Sequence, residues 1–247
     1  MLRLKWIGMI LGLCLISGSA VAERAELTRL VDSPTAGLIE KGRYAVDLRL
    51  FADGGVVGRL QAGALKRLSI GLSFGGEQLI GSGGVDWFPR VEVAARYRVI
   101  EENQVWPALV LGYETQGYGP YRDERYQVKS KGFYLVASKN YASALGQFGF
   151  HAGANLTREQ TDDGDWSAWF GLDKSINEDL FLVAEYDLGR NDGPQTQGVA
   201  EGYLNIGAFW NVAPQLKVAC YLKNTLSSGR FDPQSSRELS VIYTEEF

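Results

Sequence analysis

In the stretch RVEVAARYRV, residues 90–99, the polarity of the side chains alternates along the sequence. Charged or small side chains occupy one set of alternate positions: Arg90, Glu92, Ala94, Arg96 and Arg98. Apolar side chains occupy the other set: Val91, Val93, Ala95, Tyr97 and Val99. Because successive side chains of a β-strand point to opposite sides, this pattern predicts a strand that separates two different environments.

The same alternation recurs along the chain and predicts about twelve strands. They span 42–51, 56–65, 67–75, 90–100, 106–116, 132–141, 146–157, 166–175, 179–188, 202–212, 215–225 and 238–247. Most are near ten residues long, the length at which a tilted strand crosses an outer membrane. The 247 residues include 30 Gly, 12 Tyr and only 7 Pro, which favours one large all-β domain over a helical one.

The connections between these segments alternate in length. Long ones, such as 117–131 and 189–201, follow the odd-numbered strands, and short ones, such as 176–178 and 213–214, follow the even-numbered strands. This arrangement is typical of an antiparallel up-and-down transmembrane β-barrel with long outer loops and short periplasmic turns. A lipocalin-like soluble barrel would alternate too, but has no reason to segregate its loops by length.

The charged face of the strands indicates which side faces lipid. So many ionisable groups would be very costly in a dry core, so we expect the apolar faces to point outward and the charged faces to line the lumen. Glu185 and Asp187 are expected to face a basic group made by Arg49, Arg96 and Arg98. If paired, these groups fill a closed barrel, and if unpaired they line a pore. The full candidate network is Asp47, Arg49, Glu92, Arg96, Arg98, Glu185 and Asp187.

The beginning of the chain predicts export. Arg3 and Lys5 precede an apolar run at 6–16 and a small-x-small site, which predicts a signal peptide over 1–22 that is cleaved after Ala22. Residues 23–40 do not alternate and are interpreted as a periplasmic lead-in, and 41–247 as a barrel in the outer membrane of a Gram-negative bacterium. Cleavage leaves Cys220 as the only cysteine, so no intramolecular disulfide is expected. No basic patch indicates nucleic acid.

The chain ends on ELSVIYTEEF, residues 238–247. This segment resembles the final strand of bacterial outer-membrane barrels, which ends on an aromatic residue and is read by the barrel-assembly machinery. The matching positions are Leu239, Val241, Tyr243 and Phe247, and Glu245 departs from the usual apolar residue. The resemblance implies an assembly signal, with membrane lipid and that machinery as partners.

A narrower resemblance lies in SPTAGLIEKGR, residues 33–43, and in the segments at 132–141 and 182–188. These look like uncharacterised barrels associated with exopolysaccharide and capsule production. The resemblance implies a non-enzymatic envelope component in polysaccharide export or assembly, with export components as partners. A small porin-like diffusion channel is the alternative.

No enzymatic activity is expected, and a phospholipase-like lipid hydrolase is the third hypothesis. His151 is the only histidine, and a phospholipase-like barrel would need a serine two residues later, where Gly153 stands. Asp162, Asp163 and Asp165 could ligate calcium, but they lack the spacing of a calcium loop and are interpreted as solvated. No cofactor or metal is predicted.

Overall fold

A computed structural model describes residues 26–143, 146–159, 166–191, 202–226 and 235–247. The predicted signal peptide and the aspartates at 162–165 lie outside the described residues. In the part of the chain that is described, no helix is long and apolar enough to cross a membrane.

The described residues form fifteen strands, and twelve of these make one closed antiparallel sheet. In chain order the strands are β1 Arg43–Phe51, β2 Gly55–Leu65, β3 Leu68–Glu77, β4 Asp86–Trp87, β5 Glu92–Ile100, β6 Ala108–Glu114, β7 Tyr118–Arg122, β8 Arg125–Val128, β9 Gly132–Ser143, β10 Gly146–Leu156, β11 Ser167–Ser175, β12 Leu180–Asp187, β13 Tyr203–Asn211, β14 Leu216–Lys223 and β15 Ser236–Glu246. The short strand β4 only extends β3, and β7 and β8 form a separate hairpin.

The last strand closes the barrel. β15 pairs with β1 from Arg43 opposite Glu246 to Leu50 opposite Leu239, and β1 continues through β2 to β3. Closure leaves no strand edge unpaired. A sheet in lipid must be closed in this way because the backbone groups of an open edge would have no water to bind. The predicted barrel of about twelve antiparallel strands is confirmed. The Phe247 N–H, just beyond β15, donates to the Gly42 carbonyl at 2.9 Å, while its role as an assembly signal stays a prediction.

The two ends of the barrel differ as predicted. One end, called here the turn end, carries the connections 66–67, 101–107, 176–179 and 212–215, and β9 ends and β10 begins at the same end. The opposite end, called here the long-loop end, carries the longer connections, of which 115–131 contains β7 and β8. In bacterial outer-membrane barrels the short turns are periplasmic.

The strand faces have the inverted polarity expected of a membrane barrel. On β5, Tyr97 is 49% exposed on the outside, whereas Arg96 beside it is 2% exposed and points into the lumen. Leu111 on β6 and Phe170 on β11 are likewise more than half exposed. An exposed apolar belt around a buried charged interior is the reverse of a soluble barrel.

The segment interpreted as a periplasmic lead-in lies elsewhere. Its described part, from Glu26 onward, folds back into the barrel, and residues 30–38 are buried. Residues 27–38, called here the plug hairpin, are joined by a bridge between Arg29 and Pro34. The prediction of a periplasmic lead-in is wrong for these residues. They enter the lumen because the inward faces of the strands bind their apolar side chains and backbone groups.

The outward position of Cys220 is testable without engineering a new site. Its side chain is exposed on β14, on the face that would contact lipid. In reconstituted vesicles we expect the thiol to react with a lipid-soluble maleimide and to resist a charged, water-soluble one.

The matched control is Lys66→Cys in a Cys220→Ala background, which puts a thiol in an exposed turn. Equal labelling of both positions by the charged reagent would show that Cys220 faces water and would contradict the membrane orientation.

Candidate functional site in the barrel lumen

The tip of the plug hairpin is held by one carboxylate. Glu185 on β12 is 1% exposed and accepts hydrogen bonds from three successive backbone N–H groups. These come from Val31 at 3.0 Å, Asp32 at 2.9 Å and Ser33 at 2.8 Å. The Asn205 amide donates a fourth hydrogen bond at 2.8 Å. Successive backbone N–H groups form an anion-binding concavity, and here the anion is a side chain of the barrel wall.

The same tip offers its own carboxylate to two cations of the wall. Arg49 and Lys223 each contact Asp32 at 2.8 Å. Both cations also bind Glu238, at 2.6 Å and 3.3 Å. Burial alone would raise the pKa of Asp32, but Lys223 and Arg49 outweigh it and hold that pKa at about 2. The Asp32 carboxylate therefore stays charged at neutral pH and anchors the hairpin.

The two arms of the hairpin bind the wall nearer the turn end. Arg98 on β5 forms an ion pair with Glu26 and donates to the Ala36 carbonyl at 2.8 Å. Arg29 of the hairpin pairs with Glu114 on β6. The Trp169 indole N–H donates to the Pro34 carbonyl at 3.2 Å. In the described part of the chain, the hydrogen bonds between hairpin and barrel each use a side chain, so the hairpin is not a strand of the sheet.

Part of the lumen wall is apolar, which the sequence analysis did not predict. Leu30 and Val31 pack against inward side chains of β12, β13 and β14, namely Phe181, Val183, Phe209, Ala219 and Tyr221. A Cβ on Gly171 would lie 2.1 Å from Leu30, so the bare backbone there makes room for the hairpin. Lumen positions in contact with bulk water have no reason to be apolar, and these suit a permanent occupant.

A second element reaches the lumen from the long-loop end. The hairpin of β7 and β8 inserts Tyr118, whose hydroxyl donates to the Asp32 carbonyl at 3.1 Å. Cationic groups surround its ring, with Arg49 at 4.6 Å and Lys223 at 4.9 Å from the centroid. Contacts of this kind contribute about 0.5–2 kcal/mol each. The inserted loop therefore lies directly on the tip of the plug hairpin.

The plug hairpin lies between two larger chambers of the lumen. A chamber of about 470 Å³ opens toward the long-loop end and is lined by Asp32, Asp187 and Lys223 among others. Another of about 460 Å³ lies toward the turn end, against Thr35, Ala36 and Gly37. The two share no lining residue. The buried hairpin residues 30–36 therefore lie between the two chambers.

His151 has partners that the sequence analysis missed. Its Nδ1 lies 2.7 Å from the Ser138 hydroxyl and its Nε2 lies 2.9 Å from an Asp173 oxygen. Ser138 stands directly opposite His151 in the pairing of β9 and β10. The sequence predicted strands at 132–141 and 146–157 but not the register between them, so it did not reveal this partner. The Ser138 oxygen also accepts the Ala36 N–H at 2.8 Å, so the three side chains anchor the hairpin.

Each residue of the predicted charge network faces the lumen, but the pairing differs from the one expected. Asp187 pairs with Lys131, and Glu185 binds backbone groups instead of the arginines. The other members bind as follows: Asp47 with Arg59, Arg49 with Asp32 and Glu238, Glu92 with Arg90 and Tyr126, Arg96 with Glu114, and Arg98 with Glu26 and Glu101. The plug hairpin lies between the acidic side chains of β12 and the arginines of β1 and β5. Glu185 therefore binds the hairpin backbone, and Arg49 binds Asp32 of the hairpin.

Comparison with known proteins identifies the fold. No protein-family model matches this chain, and no curated protein does. A solved structure described as "KdgM porin" aligns with 12% identity and a TM-score of 0.51, over 81% of this chain and 98% of that chain. A structure of the NanC porin aligns with 11% identity and a TM-score of 0.42, over 83% and 99%. At such identities the likeness concerns the fold alone.

The fold is thus that of a porin-like outer-membrane β-barrel with twelve strands. This chain differs from an unobstructed barrel in having its own N-terminal segment inside the lumen. The resemblance to exopolysaccharide-associated barrels stays a prediction.

Glu185→Gln tests the contact at the tip. The amide keeps one acceptor oxygen and places an N–H2 group against backbone donors, so we expect stability to fall by about 1–3 kcal/mol. Hydrogen exchange at the amides of residues 31–33 should accelerate by more than it does in the rest of the chain.

The control is Glu178→Gln, in an exposed turn. If exchange at residues 31–33 is as slow in Glu185→Gln as in this control, the carboxylate does not hold the tip.

Proposed function

We propose that this protein is a channel of the Gram-negative outer membrane whose lumen is closed at rest by its own N-terminal hairpin. The porin-like fold and the exposed apolar belt support the membrane location. Export through a cleaved signal peptide and insertion by the barrel-assembly machinery belong to the same proposal.

The observation that carries the proposal is the separation of the two chambers by a segment outside the sheet. The barrel is closed by its strands alone, so the plug hairpin contributes nothing to the pairing of the wall. The hairpin nevertheless lies between chambers of about 470 and 460 Å³. Displacing it would join two polar spaces into one path without breaking a strand pair.

The many side-chain contacts of the hairpin favour a closed resting state. Three groups of the wall, Arg49, Glu185 and Lys223, bind its tip directly, and Asn205 donates a hydrogen bond to Glu185. Breaking one partner of a buried ion pair costs several kcal/mol because the other charge is left unpaired. Spontaneous opening is therefore rare.

The function we propose is non-enzymatic. In Ser-His-Asp hydrolases the Nε2 atom of histidine faces the serine, whereas here Nδ1 does. The Ser138 oxygen is also occupied by the Ala36 N–H. These contacts support an anchoring role, and purified protein should hydrolyse phospholipid no faster than its His151→Ala variant does.

A role as a non-conducting envelope component in exopolysaccharide export or assembly is the second proposal, and a filled lumen is compatible with it. It rests on the resemblance of residues 33–43, which here form part of the plug hairpin and its path to β1. A deletion strain should then show reduced surface polysaccharide, restored by the intact gene. Normal export in that strain would remove this proposal and leave the channel.

Planar-bilayer recording tests the channel. The intact protein should be silent apart from brief openings, because the hairpin blocks the path. A variant lacking residues 27–38 should give long-lived, salt-dependent current steps. A heat-dependent gel shift checks that each barrel is folded.

Glu178→Gln serves as the matched control and should record like the intact protein. Two results would contradict the proposal: steady current from the intact protein at the level of the deletion variant, or a folded deletion variant that carries none.

A further inference from the structure

A small cavity lies between the plug hairpin and the wall formed by β1, β2, β14 and β15. Its volume is about 90 Å³. Arg29 of the hairpin, together with Asp47 and Arg59 of the wall, is among the residues that line it. Glu40, Arg43 and Thr244 also line it and place its rim near the turn end.

Two guanidinium groups in this cavity lack partners for buried nitrogen atoms. Arg59 is 5% exposed, and within the described residues its Nε and Nη2 have no hydrogen-bond acceptor. Its Nη1 has only a 3.4 Å contact with Asp47. The Nη1 of Arg29 also lacks an acceptor there. Burying a charged donor without an acceptor costs free energy, so this cavity would favour a ligand that accepts hydrogen bonds.

The two cations also lie close to the same aromatic ring. The Arg29 and Arg59 guanidinium carbons are 5.5 Å and 5.0 Å from the centroid of Tyr118. Glu114 pairs with Arg29 and Asp47 contacts Arg59, but the two like charges still repel each other, and an anion between them would offset that repulsion. Because Arg29 belongs to the hairpin and Arg59 to the wall, such an anion would link the two.

The Asp47 carboxylate restricts which kind of ligand the cavity could bind. Its Oδ1 is buried and has no donor among the described residues, while its Oδ2 faces Arg59. The ligand must therefore accept hydrogen bonds from arginine and also donate one to a carboxylate. Water and protonated phosphate both do so, whereas sulfate at neutral pH only accepts, and of the first two only phosphate also carries a negative charge that offsets the arginines. The volume suits one such ion, since a single water needs about 10–15 Å³ by the same measure.

We propose that this cavity binds one inorganic phosphate ion, which enters from the turn end and links Arg29 of the plug hairpin to Arg59 of the wall. Bound phosphate then stabilises the hairpin in the lumen. This second step rests on the proposed channel function, while the binding step does not.

Binding is tested on the intact, detergent-solubilised protein by calorimetry and thermal unfolding in phosphate, sulfate or chloride of equal ionic strength. Phosphate should bind once per chain and raise the unfolding temperature by about 2–5 °C well above its dissociation constant. Sulfate should give a smaller shift and chloride none. Equal shifts in all three salts would mean screening alone and would overturn the site.

Variants assign the effect to the cavity. Arg59→Gln removes the unpaired buried charge, so the fold should survive while the phosphate shift disappears. Asp47→Asn should reduce the preference for phosphate over sulfate. The control, Arg67→Gln, changes an exposed arginine at the turn end and should keep the full shift. Retention of phosphate binding by Arg59→Gln would refute the assignment.

Bilayer recordings then separate binding from regulation. Phosphate on the periplasmic side should lower the frequency of openings of the intact protein and leave Arg59→Gln unaffected. Saturable binding with unchanged openings would refute the regulatory step and keep the site. Absence of openings in every salt, with normal binding, would count against the channel instead.

Discussion

The contact between the Glu185 carboxylate and the backbone N–H groups of residues 31–33 decides what occupies this barrel. A buried carboxylate on an inward strand face needs several donors, and the tip of the plug hairpin provides them in one turn. With the tip in place, Asp32 reaches Arg49 and Lys223, and Leu30 and Val31 reach the apolar patch of the wall. Charge and apolar burial thus hold the same segment at the same place.

This arrangement explains why the lumen has two kinds of lining. Where the hairpin passes, the wall carries apolar side chains such as Phe181 and Phe209. In the chamber at the long-loop end it carries polar ones such as Asp187 and Asn205. A plugged barrel needs both, because the occupied part is packed like a protein core and the open parts are wet.

Alternation along the strands made the barrel predictable from the sequence, since burial on one face imposes a period of two. The plug hairpin was missed because residues 26–40 have no period. The hairpin of β7 and β8 was missed for another reason. The φ angles of Asp123 and Glu124 in its turn are positive, 52° and 63°. The sequence has no glycine at the second of these positions, where one usually indicates such a turn. The charged lumen residues were visible in the sequence, but their partners were not, because the hairpin supplies several of them.

The position of the hairpin tip is measured most directly at Ser33, which is fully buried and whose hydroxyl has no hydrogen-bond partner within the described residues. Ser33→Cys in a Cys220→Ala background places one thiol at the tip with little change in size. A charged maleimide should label it slowly in the folded barrel and rapidly after unfolding. Labelling of the folded protein as fast as that of Lys66→Cys would show that the segment lies outside the lumen and that the barrel is not plugged.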